Sequence, residues 1–228
     1  MATTPRSRAG REVDYPTSDG KPMAETDVHR DLMVELIQTL EARYAADPRA
    51  YVSGNLLLFY EEGNRRRHVS PDVFVVLGVA KKKRDHYLTW LEGQGPDLVI
   101  ELTSKSTRSE DVKTKMALYR DVLRVPEYFL FDPFEDYLQP PMQGYRLVEG
   151  RYDPIEWVAG RLPSEILGLH LERDGIGLRL HDPATGLRLP TLGEVVGTQR
   201  LRADQAEAEV AQLRRELEAL RGRPPGAG

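Results

Sequence analysis

The sequence predicts a mixed α/β fold, a central mixed sheet flanked by helices, with a separate helix at the C-terminus. Three observations carry that prediction. Short apolar runs bounded by turn residues alternate with segments of helical period, in the order helix, strands, helix, strands. Two of the later runs are split by Glu-Gly and Asp-Gly, as hairpins are. The C-terminal stretch switches to a heptad pattern.

The elements follow in order. Residues 1–24 show no period and are predicted to be flexible. In "DVHRDLMVELIQTLEARYAA", Leu32, Met33, Leu36, Ile37 and Leu40 share one helical face, with Asp27 or Thr26 as the N-cap. "YVSGNLLLFY" reads as a strand, "EEGNRRR" as a hairpin turn and "HVSPDVFVVLG" as the returning strand. A charged excursion, "VAKKKRDHYLTWLEGQG", leads into the strand "PDLVIELTS". A helix is predicted from about Glu110 to Leu123, with Thr107 and Glu110 spaced as a capping box. "PEYFLFDP" is another buried strand, closed by Asp132-Pro133. "GYRLVEGRYDPIEW" is a hairpin turning at Glu149-Gly150, and "LGLHLERDGIGLRLHDP" one turning near Asp174-Gly175.

In "RLRADQAEAEVAQLRRELEALRGR", Ala203, Ala206, Val210, Leu213, Leu217 and Leu220 recur at 3-4-3-4-3 spacing. That is the a/d seam of a coiled coil, and it points to a homodimer; the other outcome is one amphipathic helix folded back on the domain. The expected organisation is a flexible segment 1–24, a domain 25–195, a coiled-coil helix 196–221 and a flexible tail 222–228.

Composition narrows the function. Hydrophobic residues make up 40% and charged residues 30% of 228, an ordinary globular balance with room for one substantial domain. The absence of cysteine excludes a disulfide frame, a thiolate metal site and a thiol nucleophile. No apolar run is long enough to span a membrane, and the N-terminus has no apolar stretch of the signal-peptide kind, so a cytoplasmic location is expected. A net charge of −4 argues against nonspecific coating of nucleic acid but is compatible with a local basic groove.

Chemistry centres on Glu101, set in the apolar run "LVIEL". Strand alternation puts Leu98, Ile100 and Leu102 on one face and Val99, Glu101 and Thr103 on the other. A run this apolar is expected to be buried on both faces, so the carboxylate must be paired, protonated or metal-bound, unless it lies at a solvated sheet edge. Asp72 opens another apolar strand, on the face of Phe74 and Val76, either as a functional carboxylate or as a turn residue. On the helix that follows, Val112, Met116, Tyr119 and Leu123 form an apolar stripe that Lys115 flanks, while Lys113 points away. Lys115 would lean towards the sheet or pair with Asp111 four residues earlier. Two strand carboxylates, a lysine and no cysteine suit a hard cation, Mg²⁺ or Mn²⁺, and phosphodiester hydrolysis.

"SPDVFVV", "GPDLVIELTSKSTRSEDVKTKMALYR" and "VPEYFLFDP", in this order, closely resemble the Uma-two family of restriction endonucleases, within the PD-(D/E)XK nuclease superfamily. The resemblance covers roughly residues 25 to 170 and implies a restriction-endonuclease-like core. It maps the metal-binding carboxylates onto Asp72 and Glu101, and the helix lysine, four residues after an acidic residue, onto Lys115 after Asp111. His29 sits where many relatives carry a histidine, though a packing role fits it as well. The superfamily pattern places lysine two residues after the glutamate, where this chain has Thr103; Lys105, in "SKST", is a loop rival to Lys115.

Two basic runs, Arg65, Arg66 and Arg67 in "NRRRH" and Lys81, Lys82 and Lys83 in "KKKRD", would either contact DNA phosphates or serve solubility. No sequence-reading motif is present, and no "GxSxG" elbow accompanies Ser104, Ser106 or Thr107. The expectation is therefore an endonuclease acting on DNA or another phosphodiester. Its competitor is a catalytically silent fold used as a dimeric interaction module.

Overall fold

The computed structural model describes residues 15–18, 26–104 and 107–221, with side chains as far as residue 218. The tail 222–228, Lys105 and Ser106, and all of residues 1–25 except 15–18, lie outside the described residues. Tyr15, inside the segment expected to be flexible, is docked: its ring packs on Phe59 and Trp90 at 5.0 and 5.3 Å, and its hydroxyl accepts from the Gly63 N–H at 2.6 Å.

The chain divides after Leu189 into two compact units. The first opens with α1 (Asp27–Arg43). Thr26 is the N-cap, its hydroxyl accepting from the His29 N–H at 3.2 Å, and Asp27 stands in the first turn, where a negative charge suits the helix dipole. The stretch read as one strand is two, β1 (Ala50–Ser53) and β2 (Leu58–Phe59). Between them stands Gly54, where a Cβ would lie 1.9 Å from the Asp72 carbonyl oxygen so that only glycine fits, and Asn55 turns the chain with a φ of 48°. β3 (His68–Val69) pairs with β2, and β4 (Val73–Leu77) pairs with β1, so two nested hairpins stand where one was expected. The charged excursion holds β5 (Tyr87–Leu88) and α2 (Thr89–Glu92), both too short to show a period.

β6 (Leu98–Leu102) and β7 (Glu127–Phe131) are buried along their whole length. They run parallel, joined by a helix over 110–123. That helix has three continuous pieces: a π-helical Glu110–Lys115, the α-helical α3 (Met116–Leu118) and a π-helical Tyr119–Leu123. β8 (Met142–Val148) and β9 (Arg151–Pro154) form the hairpin expected at Glu149-Gly150, with φ of 49° and 84° at the two turn residues, as a type I′ turn requires. β10 (Leu162–Ser164), β11 (Leu169–Asp174), β12 (Gly177–Asp182) and β13 (Leu187–Arg188) make an antiparallel sheet that includes the hairpin expected near Asp174-Gly175.

The central sheet has the order β1-β4-β6-β7-β8-β9 and is mixed, parallel only between β6 and β7. Strand alternation divides its core. Leu98, Ile100 and Leu102 pack with Leu32, Leu36 and Leu40 of α1 and with Leu171 and Leu180 of the second sheet. Val99 packs on the other face with Tyr119, Tyr128, Phe74 and Tyr87. Each fully buried side chain of this size contributes about 1.5–3 kcal/mol, which holds the ends of β4 and β6 rigidly between two layers.

The second unit contains α4 (Leu192–Arg221). It starts one turn before residue 196 because Thr191 and Glu194 form a capping box: Glu194 Oε2 accepts from the Thr191 N–H at 2.8 Å, and Thr191 Oγ1 from the Glu194 N–H at 3.2 Å. Val210, Leu213 and Leu217 of the heptad seam are exposed, and the Leu220 side chain lies outside those described. Among the described residues no helix is long and apolar enough to cross a membrane.

Candidate active site

The register of the central sheet sets Asp72 against Glu101. Val73 is the partner of Ile100, so the residue just before β4 faces the fourth residue of β6. Where β4 stops, the Asp72 side chain continues the ladder: its Oδ2 accepts from the Leu102 N–H at 2.7 Å. The Asp72 N–H in turn donates to Glu101 Oε2 at 3.3 Å. From α1, His29 brings its Nε2 to 3.3 Å from Asp72 Oδ1.

The 110–123 helix closes the other side. Lys115 Nζ donates to Glu101 Oε2 at 2.8 Å and lies 3.2 Å from Asp111 Oδ1. The Tyr119 hydroxyl donates to Glu101 Oε1 at 2.6 Å. Asp111, Lys115 and Tyr119 are four residues apart, and all three are buried. A regular α-helix over-rotates by about 40° at each such step. A π-turn, with its i→i+5 bonds, under-rotates, so alternating the two keeps all three side chains facing the sheet. The deepest line of this helix is thus polar, displaced by one residue from the stripe through Val112 and Met116.

Burial and charge oppose each other here. Glu101 is wholly inaccessible; burial pushes its carboxyl well above the ordinary range, Lys115 pulls it back, and Asp72 and Asp111 raise it further. Asp111 is raised for the same leading reason, loss of solvent. Burial would also raise Asp72, but the His29 contact, the Lys115 charge and the Leu102 N–H outweigh it, so this carboxyl lies below its ordinary value. The Lys115 ammonium, which burial alone would push down, is held well above the usual lysine range by Glu101, Asp111 and Asp72. Two buried carboxylates, Glu101 and Asp111, thus flank the Lys115 ammonium, while the Asp72 carboxylate beside Glu101 faces His29.

The structure brings Asp72, Glu101, Lys115 and His29 together. Thr103 lies two residues beyond Glu101, and its buried hydroxyl has no hydrogen-bond partner among the described residues. Lys105 lies outside those residues. The Thr107 hydroxyl accepts from the Ser104 N–H at 3.0 Å, where a capping box with Glu110 was expected. The basic runs are partly neutralised. Arg67 pairs with Glu61 at 3.2 Å, and Lys82 and Arg84 with Glu92 at 3.3 and 2.7 Å; Lys81 donates to the Tyr44 carbonyl at 3.0 Å. All six residues, Arg65 to Arg67 and Lys81 to Lys83, are exposed. Lys81 to Arg84 line a cleft of about 460 Å³ with Gln38 and Glu41 of α1 and the outer strand β1. Asp72, Glu101 and Asp111 do not line it. Gly54, one of its lining residues, abuts the Asp72 backbone.

Sequence reasoning missed Tyr119 as a polar member of the cluster, having placed it in the apolar stripe. It also missed Glu127, a second glutamate in an apolar strand. Glu127 is buried but meets Arg146 at 2.9 Å, the Ser164 hydroxyl at 2.5 Å and the Glu165 N–H at 2.9 Å, a structural clamp between the two sheets.

Among solved structures, one titled as "a putative nuclease belonging to DUF820", from Anabaena variabilis ATCC 29413, is similar over 67% of this chain and 80% of its own, at 18% identity and a TM-score of 0.48. No curated protein matches the chain. The family model described as "Uma2: Putative restriction endonuclease" matches residues 5–191, and the chain belongs to that family.

Proposed function

We propose that this protein is a metal-dependent endonuclease hydrolysing phosphodiester bonds of DNA, with Asp72 and Glu101 as ligands of Mg²⁺ or Mn²⁺. Membership of the Uma2 family supports the nuclease class. The observation that carries the reading is the register that sets Asp72, still partly open to solvent, beside the buried Glu101, with the Lys115 ammonium bound to Glu101. Carboxylates withdrawn from water need protons, hydrogen bonds or cations, and a divalent ion balances two of them at once.

The donor set fits a hard cation, since it offers carboxylate oxygens and no thiolate. Among the described residues no three His, Cys, Asp or Glu side chains are spaced to cage an ion. A Mg²⁺ bound here would have one or two carboxylates and take the rest of its shell from water and substrate phosphate. Asp72, with 15% of its side chain exposed, and the sealed Glu101 would hold it, and the ion would supply Lewis-acid stabilisation of charge on the phosphate.

The remaining residues have distinct roles. Lys115 stays an ammonium, so it orients and neutralises and does not act as a general base. Tyr119 and the Asp72 N–H fix the Glu101 carboxylate, and His29 fixes Asp72. The two exposed basic runs, Arg65 to Arg67 and Lys81 to Lys83, would supply phosphate contacts that position DNA without reading its sequence.

A silent nuclease fold acting as an interaction module is the second reading. It draws on the complete burial of Glu101, both of whose oxygens are engaged, and on Thr103 at the superfamily's lysine position. Incubation with supercoiled plasmid, and with RNA in parallel, separates the two. Mg²⁺- or Mn²⁺-dependent nicking of plasmid by the wild type, lost in Asp72→Asn and Lys115→Met, supports the endonuclease. Cleavage of RNA alone reassigns the substrate, and cleavage of neither favours the silent fold.

A further inference from the structure

The heptad register of α4 extends further than the seam from Ala203 onwards. Because the helix starts at Leu192, the same register runs back through Gln199 and Val196. Positions a then read Val196, Ala203, Val210 and Leu217, and positions d read Leu192, Gln199, Ala206 and Leu213. Valine at two a positions with leucine at d is the combination that favours two parallel strands. Leu192, Val196, Val210, Leu213 and Leu217 are 51%, 54%, 47%, 56% and 48% exposed. They form one apolar stripe along a helix about 45 Å long.

Charge beside the stripe selects the partner and its direction. In a parallel pair, each g residue faces the e residue of the next heptad on the other chain. Arg202 at g then faces Glu207 at e, and Glu209 at g faces Arg214 at e. Both pairs are opposite in sign, and symmetry doubles each. A helix whose e and g charges complement its own copy is built to meet itself.

We propose that α4 pairs with α4 of a second copy of this chain as a parallel, in-register, two-stranded coiled coil. Ala203, Ala206 and Gln199 fill their core positions poorly, so the dimer dissociates reversibly on dilution. Parallel pairing sets both helix N-termini side by side, so the two preceding units leave from one end. On the nuclease reading, that tethers two carboxylate sites in one particle. The pairing does not rest on that reading.

The chain contains no cysteine, which makes a crosslinking test clean. In the full-length protein, Ala206→Cys and Leu213→Cys each place one thiol at a d position, and Ala208→Cys places one at f, on the outside. Mild oxidation should give covalent dimers from both d variants and not from Ala208→Cys. An antiparallel pair can set only one of the two d positions against its own mate. Crosslinking at one site, at neither, or equally at Ala208→Cys overturns the proposal. Sedimentation of the full chain provides the second arm. The unmodified protein should run at twice the chain mass at high concentration, Glu209→Arg should shift it towards monomer, and Glu209→Arg with Arg214→Glu should restore the dimer. A monomer at every concentration, or a double variant no better than the single, also overturns it.

Discussion

Removing the Lys115 ammonium tests whether the buried cluster works as one electrostatic unit. Lys115→Met keeps most of the side-chain volume but leaves Glu101 and Asp111 without their counter-ion, at positions of 0% and 1% exposure. Breaking a buried pair from one side costs about 3–5 kcal/mol, a large part of the 5–15 kcal/mol that holds a typical domain together. Glu101→Gln in the same chain should recover part of that loss. The amide still accepts from the Tyr119 hydroxyl and carries no charge needing compensation, and Asp111, already raised by burial, can take up a proton. The double variant should therefore be more stable than the sum of the single changes, by about 1–3 kcal/mol. Urea unfolding of the four proteins measures this, through the midpoint at constant m-value. Strict additivity, or a Lys115→Met cost below about 1 kcal/mol, would refute the idea that the ammonium compensates these carboxylates.

Other perturbations have equally definite outcomes. Tyr119→Phe removes the donor to Glu101 Oε1 at 2.6 Å and should cost about 1–3 kcal/mol in urea unfolding, the price of a buried acceptor left short. Gly54→Ala would set a Cβ 1.9 Å from the Asp72 carbonyl oxygen and 2.8 Å from Ile37 Cδ1. It should force β1 away from Asp72 and lower the thermal midpoint far more than Gly63→Ala, where the Cβ meets open space and the cost is only that of a φ of 79°. Glu172 is hydrogen-bonded by Arg188 and Arg161, and its carboxyl is lowered from 4.5 to about 2. A carboxyl depressed in the folded state adds stability above its unfolded value, and that stability disappears as pH falls from about 5 towards 2. Glu172→Gln should cost about 1 kcal/mol at pH 7, the pair being screened by solvent, and almost nothing at pH 2.

The parts of this protein that could be read in advance are those where one strong local pattern decides. β6 and the alternation that turns Glu101 away from Leu98, Ile100 and Leu102 follow from period alone. So does the helix over 110–123, as do the hairpins at Glu149-Gly150 and Asp174-Gly175. What escaped depends on tertiary geometry. Lys115 leaning inward and Tyr119 facing the sheet were legible, but the π-turns that bring Asp111, Lys115 and Tyr119 into one line, and the Tyr119 hydroxyl to Glu101, were not. β5 and α2 are fixed by partners, since two and four residues carry no period. Glu127 is the instructive case. The signal that singled out Glu101, a carboxylate inside an apolar strand, applies equally to Glu127, whose burial is compensated by Arg146 and backbone N–H groups. A buried glutamate marks a compensated charge, and only its neighbours tell a clamp from a candidate metal site. The capping box at Thr191 and Glu194 was available in "TLGE" and would have set the start of α4 directly.

Calorimetric titration of Mn²⁺ or Mg²⁺ into the wild type and into Asp72→Asn and Glu101→Gln, with and without duplex DNA, tests the central claim most directly. Circular dichroism confirms that the variants are folded. Saturable binding by the wild type that disappears in both variants is the predicted result. Binding of equal strength in all three proteins, or none by the wild type even with duplex DNA present, would contradict a metal centre at Asp72 and Glu101.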